Sequence, residues 1–339
     1  MSRSVFPLLA AWFLLVACAL ATAQQLPDAP TAQSSGQKAT PTKPDESKAA
    51  ESPPPEPSPP AQPAAQVAPQ NSAGQSQPPK EKVVIPASAE RHYHQAVQYE
   101  RAGNVGNAMA EYKDAIKDFP DYFEAHYNLG RLYLDKKGYA DAIKEFKEAV
   151  RVNPNDAGAH NNLGMAMKRN GDLNGAIAEY RQAVELNPKI ATAQNNLANA
   201  LYAKRDFAGA IQHYRAALEI EPKSAQTRMN LGSVLDDIGK RDEAIAEYKE
   251  ALKLDPKNAS IHYNLAIVYQ KKKDRPAAIA EFREAAKLSP DWPTPHIMLT
   301  NLLKDSDPKA AIDECMVADG LTQDAKLHNQ CLELQKKAQ

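Results

Sequence analysis

Net charge is nearly absent from this chain of 339 residues, in which 41 lysines and arginines stand against 42 aspartates and glutamates, for a formal balance of −1. So even a balance sets up no long-range field, and neither a nucleic-acid partner nor an anionic membrane surface is implied. Catalytic motifs are missing as well. The glycines between Gly232 and Lys240 stand too far apart for the phosphate loop G-x-x-x-x-G-K-[ST], which leaves no nucleotide site. No serine nucleophile elbow occurs, and His92-x-His94 is too short a pair to hold a metal. Enzymatic activity, a cofactor and a metal are therefore not expected. Cysteine is scarce, with only Cys18, Cys315 and Cys331.

The N-terminus has an apolar run too short for a comfortable membrane span. Arg3, the run from Val5 to Leu20 and Ala21-Thr22-Ala23 before Gln24 make the pattern of a secretory signal peptide over residues 1–23. The expectation is an exported protein, periplasmic or secreted. Leu15-Val16-Ala17-Cys18 resembles the lipobox of bacterial lipoproteins and offers a second processing site, which would anchor the chain to the envelope through a lipidated Cys18. Cleavage after Ala23 is preferred because the apolar run continues past the cysteine and an A-x-A site ends it. Residues 24–86 are rich in proline, alanine, glutamine and serine, with almost no branched or aromatic side chains. A segment of that composition cannot bury enough apolar surface to offset its ordering entropy, so it reads as a disordered, partly polyproline II spacer.

Beyond residue 86, proline returns at a fixed interval: Pro120, Pro154, Pro188, Pro222, Pro256 and Pro290 are each 34 residues from the last. Phe123 to Pro154 shows the unit. His126, Leu129, Gly130 and Tyr133 fall on one face of a helix, Lys137 and Gly138 make a turn, and Ala142, Phe146 and Ala149 mark a second helix before the proline. With each proline counted as position 32, units start at Ala89, Phe123, Ala157, Ala191, Ala225 and Ala259, and the columns align without gaps. Position 8 is always small (Ala96, Gly130, Gly164, Ala198, Gly232, Ala266), and position 24 is always aromatic (Tyr112, Phe146, Tyr180, Tyr214, Tyr248, Phe282). Alanine recurs at positions 20 and 27. This column set resembles the tetratricopeptide repeat from about Ala89 to Asp319. The resemblance implies an all-α fold: an α-solenoid, a right-handed superhelix of about seven helical hairpins over residues 87–320, with a capping helix and tail over 321–339.

Departures fall at the ends of the array, where outer faces have no neighbour. Gln95 replaces the expected leucine of repeat one, and repeat seven, starting at Pro293, loses one residue between Lys304 and Pro308. The cap is read from Leu321 to Lys337. Cys315 and Cys331 flank the turn between the last two helices symmetrically, so they should face each other as a disulfide or as two buried thiols. Five histidines, His92, His126, His160, His262 and His296, share position 4, where packing is expected rather than metal binding.

Position 6 carries the functional expectation: Asn128, Asn162, Asn196, Asn230 and Asn264. Asparagine in a helix interior costs about 0.5 kcal/mol relative to alanine, so its recurrence needs a reason. It either bonds within the hairpin or to a neighbour, or it lines a groove of first helices where paired amide donors and acceptors clamp an extended peptide. Similar ladders occur in the repeats of O-linked N-acetylglucosamine transferases, which this array resembles without their catalytic part. Tyr127, Arg131, Asn199 and Tyr263 at positions 5 and 9 would complete the peptide-binding set. The basic clamp of chaperone-binding members is not matched. A non-enzymatic scaffold for a protein or peptide partner is thus expected, the alternative being a membrane-anchored lipoprotein that assists assembly of an envelope, pilus or secretion complex.

Overall fold

The computed structural model describes residues 84–338. The signal segment read over 1–23, the Cys18 site and nearly all of the spacer lie outside the described residues. Fifteen helices follow, with no strand among the described residues. Seven hairpins pair α1 (Ala87–Arg101) with α2 (Val105–Asp118), α3 (Phe123–Asp135) with α4 (Tyr139–Val152), α5 (Ala157–Arg169) with α6 (Leu173–Leu186), and α7 (Ala191–Ala203) with α8 (Phe207–Ile220). They continue with α9 (Ala225–Asp237) and α10 (Arg241–Leu254), α11 (Ala259–Lys271) and α12 (Arg275–Leu288), and α13 (Pro293–Leu303) and α14 (Pro308–Thr322). A last helix, α15 (Ala325–Ala338), packs on α14.

The proline column sets these boundaries. Each closing proline lies just past the end of a second helix, where its ring cannot continue the α conformation and the residue before it is pushed to extended backbone, as at Phe119 and Asn187. Phe123, Ala157, Ala191, Ala225, Ala259 and Pro293 are the first residues of their helices, as their column positions predict. The cap departs from expectation: Leu321 belongs to α14, and α15 begins only at Ala325. Gln323 ends α14 in the left-handed region (φ 53°), and the Asp324 carboxylate then accepts from the Lys326 N–H at 2.7 Å, starting the new helix.

Within each of the first six hairpins the turn closes from the position 16 N–H to the position 11 carbonyl, as in Asn104 to Tyr99 (2.8 Å) and Asp172 to Met167 (2.9 Å). This closure requires a left-handed residue at position 15. Gly103, Gly171 and Gly239 supply it at φ 73°, 92° and 81°, but in alternate hairpins Lys137, Arg205 and Lys273 hold φ 61°, 61° and 64°. In several hairpins the second helix starts on a side-chain cap, from Asn104, Asp172, Asp206, Asp274 and Asp307.

The core is a row of position 24 rings: Tyr112, Phe146, Tyr180, Tyr214, Tyr248 and Phe282 are at most 2% exposed. Position 8 makes room for them. A Cβ on Gly130, Gly164 or Gly232 would lie 2.9, 2.8 or 3.0 Å from the ring of Phe146, Tyr180 or Tyr248. Gln95 is exposed, as expected of an outer first helix. Each helix packs mainly on its chain neighbours, the one-dimensional pattern of an all-α solenoid. In addition α3 meets α5, α5 meets α7, α7 meets α9 and α9 meets α11, whereas no two second helices approach to the same extent. First helices therefore take the inner side of the curve.

Candidate functional site

Along this inner side the position 6 asparagines are half-buried, and four of the five reach back to the preceding repeat. Asn128 Nδ2 donates to the Tyr93 hydroxyl at 3.2 Å, and Asn162 Nδ2 to the Tyr127 hydroxyl at 2.9 Å. Asn196 Nδ2 donates to Asn161 Oδ1 at 3.0 Å and Asn230 Nδ2 to Asn199 Oδ1 at 3.1 Å. The partner is a position 5 or position 9 side chain because those positions flank position 6 on the facing helix. Asn264 stands opposite Met229, whose thioether is a poor acceptor, and it makes no side-chain hydrogen bond among the described residues.

The remaining residues expected at the site belong to the same seam. Arg131 donates to Glu100 at 2.9 Å and to Asn128 Oδ1 at 3.3 Å. Asn199 Oδ1 also accepts from the buried Tyr214 hydroxyl at 2.5 Å, so its carbonyl is shared between two donors. Tyr263 packs edge-on to Phe282 and lies 4.7 Å from the Trp292 ring, and burial pushes its hydroxyl pKa up. The structure thus places the expected residues in one column of first helices, and all but Asn264 and Tyr263 are hydrogen-bonded between repeats. Each position 6 asparagine of the seam keeps a second amide hydrogen and a carbonyl lone pair, because an amide offers two donors and two acceptor sites and the seam uses only part of them.

Beside Tyr127 the line opens into a recess of ≈ 570 Å3 lined by Phe123, Tyr127, Asn155, Asp156, Ala157, Gly158, Leu186, Asn187 and Ile190. Its mixed polar and apolar lining was not anticipated from sequence. Two signals mark it in retrospect. Phe123 is the one bulky residue at position 1 of the first six repeats, the other five of which begin with alanine, and it stacks on Tyr127 at 5.8 Å. Gly158 breaks position 2, where a Cβ would stand 3.1 Å from Asp156 Oδ1 and 3.5 Å from the Tyr127 hydroxyl.

One group of potential metal donors occurs among the described residues: His92, Glu111 and Asp114 have ligand atoms within 4.8 Å of one another. The His92–Glu111 contact within it, at 2.7 Å, repeats in the other hairpins as a pair across helices, and that accounts for it without an ion. Cys315 and Cys331 are disulfide-bonded across α14 and α15, with Cα atoms 5.6 Å apart.

Comparison with known proteins gives the family. A model described as TPR repeat matches residues 98–137, 130–171 and 234–273, and models described as tetratricopeptide repeat match residues 161–225 and 259–292. A tetratricopeptide repeat protein from Parabacteroides merdae is 16% identical over 74% of this chain and 99% of that one, with a TM-score of 0.56. PilF of Pseudomonas aeruginosa is 21% identical over 61% of this chain and 95% of that one, with a TM-score of 0.54. MamA is 26% identical over 51% of this chain and 94% of that one, with a TM-score of 0.48. No curated protein matches the chain. Family models that together follow the array from residue 98 to residue 292, with only a short break, make this chain a member of the tetratricopeptide repeat family.

Proposed function

We propose that the array is an exported, non-enzymatic scaffold that holds an extended segment of a partner protein along its first helices. Interaction with proteins is the general role of the repeat family; the groove and its ligand are specific to this reading. One observation carries it: a line of half-buried amides runs beside an open recess in which Phe123, Tyr127 and Ile190 stand among polar groups. The spare donors and acceptors of Asn128, Asn162, Asn196 and Asn230 suit a peptide backbone. Tyr127, Phe123 and Ile190 suit one apolar side chain of the ligand, the kind of buried anchor that dominates binding energy. Since each amide bond nets roughly 0.5–1.5 kcal/mol and ordering an extended ligand takes part of that back, micromolar affinity is expected. Export is supported by the Cys315–Cys331 bond, because disulfides persist in oxidising compartments.

A displayed library of random peptides selected on the full chain tests the reading. Selected peptides should share one apolar residue and lose at least about tenfold in affinity for Ile190→Ala, which removes an apolar side chain from the recess and takes part in none of the seam bonds. Unchanged binding by that variant removes the recess from the site. Unchanged binding by a folded Asn162→Ala, Asn196→Ala, Asn230→Ala variant removes the amides.

A further inference from the structure

A polar pair crosses every hairpin, from position 4 of the first helix to the second helix. Histidine Nδ1 meets a glutamate oxygen in His92–Glu111, His126–Glu145 and His160–Glu179 (each 2.7 Å), and in His262–Glu281 and His296–Glu314 (each 2.6 Å). In the fifth repeat Arg228 Nη1 donates to Glu247 at 3.0 Å, and in the fourth His213 Nδ1 donates to Gln194 Oε1 at 2.7 Å. In the five interior repeats the far end of the position 4 side chain turns to the carbonyl of the proline that closes the preceding repeat. His126 Nε2 reaches Pro120 O at 2.9 Å, His160 reaches Pro154 at 3.0 Å and His262 reaches Pro256 at 3.3 Å. Gln194 makes the same bond to Pro188 at 3.0 Å and Arg228 to Pro222 at 3.2 Å.

A carboxylate and a peptide carbonyl both accept. A neutral imidazole has a single N–H and can serve one of them, whereas imidazolium serves both. Two repeats act as internal comparisons. Arg228, permanently charged with donors in two directions, makes the same two bonds as the histidines. Where no glutamate is present, Gln194 donates to the proline and accepts from His213, an arrangement that needs no charge. Burial, and then the nearby Arg181 charge, hold the His213 pKa below its ordinary value. At the array ends the second acceptor changes. His92 Nε2 faces Asp118 at 4.0 Å, and His296 Nε2 is buried without a partner among the described residues.

We propose that His126 stands in the folded array as an imidazolium cation, tying the closing turn of one repeat to the second helix of the next, and that the tie loosens when the ring loses a proton. Around His126 the facing groups are Glu145 and Glu148 on α4 and the Pro120 carbonyl after α2. Lys113 on α2 adds its own ammonium near Glu145. Around His160 they are Glu179 on α6 and the Pro154 carbonyl, and around His262 they are Glu281 on α12 and the Pro256 carbonyl. Burial pushes the His126 pKa down, but its bonds to Glu145 and Pro120 and the charges of Glu145 and Glu148 outweigh burial and raise it. A raised folded value means that the contribution is complete below the ordinary imidazole value of about 6.5 and is lost as pH rises through the folded value. The array is therefore tighter at mildly acid than at mildly alkaline pH.

Nitrogen NMR of the full chain labelled at histidine tests the protonation directly. His126 should show N–H on both ring nitrogens at pH 6 and titrate above the value found in the urea-unfolded chain. A neutral His126 ring at pH 6, or a midpoint at or below the unfolded one, overturns the proposal. Urea unfolding at pH 6 and pH 8.5 tests the consequence. The folding constant should fall by up to about tenfold per pH unit between the unfolded and folded His126 values, and the fall should shrink in a His126→Arg variant. Equal falls in both proteins would refute it. His126→Gln should weaken the array, and adding Glu145→His should restore it by rebuilding the fourth-repeat arrangement. A double variant no better than the single one counts against the donor assignment.

Discussion

Asn162 shows how one side chain serves two purposes. Its amide donates to the Tyr127 hydroxyl of the preceding repeat, and that bond fixes the orientation in which its remaining groups meet a ligand. A net hydrogen bond between partly buried groups contributes about 0.5–1.5 kcal/mol, so Asn162→Ala and Tyr127→Phe should each lower stability by about that amount. The double variant should lose little more than either alone, because the two residues share one bond. Asn264→Ala, with Met229 opposite, should stay within about 0.5 kcal/mol of the parent. Urea denaturation of the four proteins decides this. Position 6 was legible in the sequence as a recurrence, and both of its possible explanations were open. The bond itself was not legible, because its acceptor lies about one repeat earlier and changes from tyrosine to asparagine along the array. Packing alone was expected at position 4, and the hairpins instead use it for a two-way polar link, which depends on a backbone carbonyl that no side-chain pattern displays.

The hairpin turns show the same limit at the level of elements. The prolines and the position 24 aromatics located helices closely, because both act through local sterics and burial that a fixed period exposes. The turn at Lys137 and Gly138 was also legible, yet the left-handed residue is Lys137, while Gly138 sits at φ −79° as the residue before α4. A lysine there costs roughly 1–2 kcal/mol in backbone terms relative to glycine. Lys137→Gly, Arg205→Gly and Lys273→Gly should therefore each raise stability, by about 1 kcal/mol after the extra unfolded-chain freedom of glycine is counted. Gly171→Lys should lower it, and thermal unfolding of these variants checks both signs.

For the whole molecule, contacts between neighbours make stability a sum of local terms, so a perturbation at one end should stay there. Closing the loop between Cys315 and Cys331 stabilises the last hairpin and its cap by about 3 kcal/mol. Reduction should speed amide hydrogen exchange in α14 and α15 and leave α5 to α10 unchanged. Faster exchange throughout would mean that the array unfolds as one unit. Alkylation of protein recovered from cells without reductant checks that the bond forms, and two free thiols would count against it.

The seam between first helices also determines how this chain responds to being pulled. Its crossing bonds join adjacent hairpins on one side only, and each is worth about 1 kcal/mol, far less than the buried rings that hold a hairpin shut. Tension along the array would load these bonds together with the position 4 links and the apolar contacts that also join one hairpin to the next, so weakening the seam alone should soften the stack without parting it.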